Sequence, residues 1–343
     1  MAWFSYFAIA FGVSFLLNRL VIWIYRRFET KKELRSFFRW GGLAVIPSFV
    51  FTVLINPEIV ITNKILAILL ASLLAGFFGA LDDFKNFSWK IQLAFQVFLG
   101  ILLVWLGFEI GVISFGGELL FETNYFQVEI IGKTISLLNT TLVVFWLIGI
   151  INAINWLDGS DGLLSITAIL ALLAIFFVSL RPEVNQPAVA ILALIGSGAF
   201  LGFGVFNFPP AKIIAGTGGS YFAGVLLASL AIIAGTKIAT TMVVLALPII
   251  DFIWVTVERR KAGKSIFQKE PGERHLHYKF LKNGWSERGV LLVYFCFLGA
   301  ALLISLFVFN QAHKLILLTV ELIMILTLLF SLTRRNEKIK NQK

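Results

Sequence analysis

Along the chain, hydrophobic positions fall into long unbroken runs, and polar positions collect in short segments between them. Runs of about 17–22 apolar residues have the length a helix needs to cross a hydrocarbon core of about 30 Å. In lipid a backbone must satisfy its own hydrogen bonds, so such runs predict helices. Eleven spans follow, at 3–25, 41–56, 64–81, 91–108, 134–151, 161–180, 187–206, 218–235, 238–257, 289–309 and 314–333. The one long connection on the outer side, 109–133, alternates around Gly116-Gly117 and Asn124 and predicts a short hairpin. The expected fold is an all-α, polytopic transmembrane helical bundle, a single domain over 1–333 with a basic tail at 334–343.

Composition strengthens this picture and charge gives it a direction. Of 343 residues 59% are hydrophobic and 14% charged, against about 25% charged in a soluble domain. Net charge is +10, which in another context would suggest nucleic acid. Its distribution points elsewhere. With the N-terminus outside, every lysine and arginine except Arg19, Lys64, Lys133, Arg181, Lys237 and Lys314 falls in an inner segment. Cytoplasmic loops retain basic residues, so the expected topology is N-terminus outside and C-terminus cytoplasmic. The basic excess then faces anionic lipid, and no nucleic-acid partner is expected. The first run has no basic residue before it and Arg26-Arg27 after it, the reverse of a signal peptide, so it reads as a retained span. Cys296 stands alone in an apolar run and forms no intrachain disulfide.

The inner segments also hold the unusual polar residues, in four groups. Asp82-Asp83 closes the third run. Two adjacent carboxylates at a low-dielectric boundary stay ionised only beside cations, and a hard ion such as Mg²⁺ shares oxygen ligands with substrate phosphates; the alternative is a solvated helix end balanced by Lys85 and Lys90. In Asn152-Ala153-Ile154-Asn155-Trp156-Leu157-Asp158-Gly159-Ser160-Asp161-Gly162, spacing by three puts Asn152, Asn155 and Asp158 on nearly one helical face, with Asp161 following; the alternative is a polar helix–helix contact. Asn207-Phe208-Pro209-Pro210 stops a helix, and Gly216-Thr217-Gly218-Gly219-Ser220 opens the next, where free N–H groups could cradle a phosphate. The loop 258–288 carries Glu273-Arg274-His275-Leu276-His277-Tyr278-Lys279. His-x-His without a cysteine or third histidine is a poor zinc site, and beside Arg274 and Lys279 it reads as a donor cluster for phosphate oxygens. Asp251 and Glu321 lie within runs, as proton-path residues or, more simply, as local hydrogen-bond partners.

In this order, Arg39-Trp40-Gly41-Gly42, Leu81-Asp82-Asp83, the Asn152–Gly162 block, Asn207 to Lys212, Gly219-Ser220 and Arg274-His275-Leu276-His277 resemble the polyprenyl-phosphate N-acetylhexosamine-1-phosphate transferases, a sister branch to the phospho-N-acetylmuramoyl-pentapeptide transferases. The resemblance implies that a UDP-N-acetylhexosamine gives up its phospho-sugar to a polyprenyl phosphate and releases UMP. The setting it implies is the bacterial plasma membrane with the site on the cytoplasmic face, Mg²⁺ (or Mn²⁺) as cofactor, and a homodimer as a further expectation. It implies catalytic roles for Asp82 and Asp83, metal contacts from Asn155, Asp83 and Thr217, and substrate contacts from Lys90, Asn152, Asn155, Asp158, Asp161, Asn207, Arg274, His275 and His277. Three positions depart from the family: Thr217 replaces an aspartate metal ligand, Tyr278 a frequent histidine and Gln92 a basic residue. The competing expectation is a weakened homologue serving as a membrane scaffold. A transporter should instead show broken helices at matching places in two halves.

Overall fold

The structure, a computed structural model, describes residues 2–28, 39–115, 118–130, 132–233, 238–264, 274–308 and 311–341. Lys31, Lys32, Arg35, Gly116, Gly117, Lys237 and Glu273 lie outside the described residues. Apolar runs become helices where predicted: α1 (Ala2–Phe28), α2 (Gly41–Leu54), α3 (Asn63–Lys85), α4 (Trp89–Trp105), α5 (Leu137–Asn155), α6 (Leu163–Ser179), α7 (Pro187–Asn207) and α8 (Gly216–Ile233). The later ones are α9 (Ile238–Val244), α10 (Ala246–Lys261), α11 (Leu276–Lys282), α12 (Glu287–Phe307) and α13 (Gln311–Asn341). Among the described residues seven helices are long and apolar enough to cross a membrane, and α2, α4 and α6 are shorter apolar helices.

Local chemistry sets the helix ends. Thr62 and Ser136 cap α3 and α5 by accepting the backbone N–H of Ile65 and Asn139. Asn86 ends α3 in the left-handed conformation, and Pro187 begins α7 where no N–H is needed.

Two expectations change. The predicted continuous span 238–257 is two helices, α9 and α10, meeting at Leu245. Pro248 has no N–H to give the carbonyl of Val244, and its ring crowds that carbonyl, so the axis breaks there. The predicted single hairpin is two antiparallel hairpins. β1 (Val112–Phe115) pairs with β2 (Glu118–Glu122), and β3 (Gln127–Ile130) pairs with β4 (Lys133–Ser136). Asn124 lies between them, and Gly132 supplies the left-handed turn of the second.

The core is centred on α8, whose residues from Gly218 to Ile232 are all buried. It packs against α2, α3 and α5, while α7 packs against α1 and α6. Glycines let α8 approach so closely. A Cβ on Gly79 would lie 2.2 Å from the Cα of Gly218, and one on Gly42 would lie 2.2 Å from the Cα of Gly219. Backbone-to-backbone contact of this kind is the membrane-bundle use of small residues. It brings the C-terminal end of α3 and the N-terminal end of α8 to the same end of the bundle, opposite the two hairpins.

Candidate active site

At that end lies a cavity of about 390 Å³. Its walls come from segments far apart in sequence. Asp82 enters from the end of α3, and Gln92 and Gln96 from the first turns of α4. Asn152 and Asn155 come from the end of α5, with Trp156 and Asp158 on the short 3-10 turn Trp156–Gly159 that follows. Thr217 opens α8, Arg259 closes α10, and His275 and Tyr278 flank the start of α11. Arg39, just ahead of α2, completes the rim.

The acidic corner is tightly organised. Asp82 Oδ1 accepts from the Phe87 N–H at 2.9 Å and from Gln92 Nε2 at 2.8 Å. Asp83 accepts the Thr217 N–H at 3.0 Å and faces Arg39 Nη1 at 3.6 Å. The Thr217 hydroxyl lies 3.0 Å from Asp82 Oδ2 and 3.1 Å from Asp83 Oδ1. One hydroxyl has one proton, so it can satisfy only one of these carboxylates at a time. The surplus negative charge and the all-oxygen donor set fit a hard divalent cation that completes its shell with phosphate oxygens and water. No group of three His, Cys, Asp or Glu side chains converges for a metal among the described residues, so protein ligands beyond two carboxylates would have to be amide or hydroxyl oxygens. Asn155 Oδ1 is nearby in the same cavity and accepts from Ser220 Oγ at 2.6 Å.

The start of α8 differs from the expected phosphate cradle. Its first two N–H groups, with that of Ala215 just before it, are taken by carboxylates: Asp158 accepts from Ala215 at 3.0 Å and Gly216 at 2.7 Å, and Asp83 accepts from Thr217. A carboxylate at a helix N-terminus is favoured for the same reasons as a phosphate, and here the chain's own acids occupy the place. Asp161 acts likewise one loop away, accepting the Ala211 N–H at 2.7 Å. It braces the 207–212 segment and does not line the cavity.

Other expected contacts also point away. Asn207 is buried, accepting from Ser165 Oγ and donating to the Ile213 carbonyl. Lys90 is exposed, its Nζ 5.8 Å from the Trp89 ring. Arg274 donates to the Glu258 carbonyl, and Lys279 bonds Glu258 and Thr333. These two fasten the His-x-His segment to α10 and α13. Asn152 lines the cavity but donates to Gln96, which in turn donates to the Tyr221 hydroxyl.

Of the two inner histidines only His275 reaches the cavity. His277 stacks behind it at 5.5 Å, fully buried, and its ring nitrogens have no partner among the described residues. Burial drives its pKa down to about 3, a second contribution from His275 acts the same way, and Asp251 opposes it. His277 is therefore a neutral packing group at physiological pH. Tyr278 donates to the Gly159 carbonyl at 3.0 Å, and burial, with Glu287 nearby, pushes its phenol up, so it stays a donor.

Arg259 was legible in the sequence only as a topological charge. It is buried against the Trp156 ring at 5.0 Å, and the same ring makes a T-shaped contact with His275, their centroids 4.8 Å apart. Arg259 and His275 line the same cavity as Asp82, and Arg39 sits on its rim paired with Asp83, so cationic and acidic groups share one site suited to a phosphate-bearing ligand and a cation.

Comparison with known proteins agrees with this chemistry. A family model for glycosyl transferase family 4 matches residues 65–235. The chain is 31% identical over 269 residues to a phospho-N-acetylmuramoyl-pentapeptide-transferase of Bacillus pumilus, covering 74% of this chain and 78% of that one. It is 28% identical over 314 residues to a "probable undecaprenyl-phosphate N-acetylglucosaminyl 1-phosphate transferase" of Bacillus subtilis, covering 89% and 82%. A decaprenyl-phosphate N-acetylglucosaminephosphotransferase of Mycobacterium leprae is 27% identical over 325 residues, covering 86% and 78%.

Proposed function

Because this chain belongs to glycosyl transferase family 4, we propose that it moves the phospho-N-acetylhexosamine of a UDP-sugar, N-acetylglucosamine in the first instance, onto a polyprenyl phosphate and releases UMP. It is a multi-pass membrane transferase. In this reading the cavity faces the cytoplasm, with the N-terminus outside, as the placement of the basic residues favours.

The observation that carries the proposal is the convergence of Asp82, Asn155, Thr217 and His275, from four distant segments, on one cavity. An oxygen of the lipid phosphate attacks the phosphorus that bears the sugar. A new P–O bond forms, the bond from that phosphorus to the bridging oxygen breaks, and UMP departs with the electron pair. Such transfers need little covalent work from the protein, and alignment with charge neutralisation supplies most of the rate. Asp82 and Asp83 organise the attacking phosphate, with one of them accepting its proton. Arg39, Arg259 and His275 hold the diphosphate. Asn152 is a polar wall for the nucleotide, while Asp158 and Asp161 hold the 207–217 loop in place. A Mg²⁺ held by Asp82, Asp83 and the Asn155 amide oxygen would neutralise the diphosphate charge.

Purified protein in nanodiscs with UDP-N-acetylglucosamine, polyprenyl phosphate and Mg²⁺ is expected to release UMP. Failure with any UDP-N-acetylhexosamine would favour a scaffold. Thr217→Asp would place a third carboxylate between Asp82 and Asp83, where the hydroxyl now sits. Like charges at that range repel without a cation. The variant is expected to melt lower than wild type in EDTA, to regain stability as Mg²⁺ is added, and to need less Mg²⁺ for half-maximal rate. A Mg²⁺-independent melting curve would remove position 217 from the metal region.

A further inference from the structure

We infer that Asp251 is a positioning residue that holds His275 with Nε2 aimed at the cavity as a hydrogen-bond donor to a bound phosphate, an inference that rests on the diphosphate-binding reading above. Asp251 is on α10 and His275 immediately precedes α11, so the contact joins two successive helices. Both carboxylate oxygens are committed there. Oδ1 accepts the Leu276 N–H at 2.7 Å, and Oδ2 lies 3.0 Å from His275 Nδ1. An ionised carboxylate only accepts, so Nδ1 carries a hydrogen and Nε2 is the ring nitrogen left for the cavity.

The ring has little freedom to turn. His275 and Asp251 are both buried, Trp156 packs T-shaped against the imidazole and His277 is stacked on it. His277, neutral as shown above, places no second charge against it. A neutral His275 in this orientation would present a lone pair to an incoming diphosphate, which an anion rejects. With both nitrogens protonated, the ring donates through Nδ1 to Asp251 and through Nε2 to the phosphate oxygen. A ring held between two acceptors, the carboxylate and a phosphate oxygen, donates to both, and the carboxylate fixes its direction.

Nothing in this contact is needed to hold the backbone alone, because the Leu276 N–H uses one oxygen and the second is directed at the ring. Asparagine offers one acceptor and one donor. If its oxygen serves Leu276, its NH₂ faces Nδ1, and His275 becomes at most a neutral donor at Nε2. Charge-assisted hydrogen bonds are about twice as strong as neutral ones, so D251N is expected to weaken binding roughly tenfold.

The test is UDP affinity of the full chain in nanodiscs, with UDP itself as the probe, for wild type, D251N, D251E, H275A and D251N/H275A, each with a melting curve. The expected pattern is a roughly tenfold loss in D251N, recovery to within about threefold in D251E, and no further loss when D251N is added to H275A. Melting curves separate failure to fold from loss of the donor, and D251E, which keeps both acceptors, reads the same contact without removing the charge. Wild-type affinity in D251N overturns the inference, and so do losses that multiply in the double variant, since Asp251 would then act independently of His275. A wild-type protein that binds no UDP at all would instead overturn the nucleotide-sugar reading beneath it.

Discussion

Asp82→Asn is expected to lower UMP release by about 10²–10³-fold, the usual effect of deleting one preorganised electrostatic group from a transferase site, with little change in melting temperature. The geometry makes this substitution unusually clean. Asp82 Oδ1 accepts from both the Phe87 N–H and Gln92, so an asparagine oxygen should stay on that side. Its NH₂ then takes the place of Oδ2 and can donate to the Thr217 hydroxyl, 3.0 Å away in the wild type. Size and hydrogen bonding survive while one negative charge goes. Initial rates of UMP release with saturating lipid phosphate, beside thermal melts of both proteins, separate the two effects. Activity within tenfold of wild type would mean that the Asp82 charge does not serve the transferred or attacking phosphate.

Gly42→Ala should damage the protein more broadly. The added Cβ would sit 2.2 Å from Gly219 Cα and 2.6 Å from the Ala215 carbonyl oxygen. Both are backbone atoms, so no side-chain rotation relieves the clash, and α2 must part from α8. Overpacking of this kind costs about 1–3 kcal/mol, occasionally more. The displacement also reaches the site. Gly41 and Gly42 donate to the Ile214 and Ala215 carbonyls, and the next N–H groups, of Ala215, Gly216 and Thr217, are held by Asp158 and Asp83. A lower melting temperature and lost turnover are expected together. Gly299→Ala is the control: nothing lies within 4 Å of its added Cβ, and alanine is the better helix former by about 1 kcal/mol, so the variant should melt at or above wild type. If Gly42→Ala behaves like Gly299→Ala, α2 and α8 do not meet as described.

Much of the site was legible because its residues are expensive where they stand. Asp82-Asp83 and Asn152-x-x-Asn155 abut apolar runs, and polar groups at such boundaries need partners. The same reasoning went wrong where several partners could satisfy one group. The first α8 N–H groups look available in sequence, yet Asp158 and Asp83 take those of Gly216 and Thr217. Arg274, His277 and Lys279 share a segment with His275, but successive residues around α11 point in different directions and only His275 and Tyr278 reach the cavity. Arg259 gave no separate signal, because an arginine in an inner segment is equally well explained by topology. Asp251 carried an ambiguous one, since an acid within an apolar run does not name its partner.

Residue order alone determined the helical membrane bundle and the four polar segments that could hold chemistry, because hydrophobic run length and the cost of unpaired polar groups in lipid are local properties. Only the tertiary structure decided which members of those segments meet. That depends on how closely α2, α3 and α8 approach through Gly42, Gly79, Gly218 and Gly219, and on which of several competing donors each carboxylate takes, and neither quantity exists until distant parts of the chain are packed together.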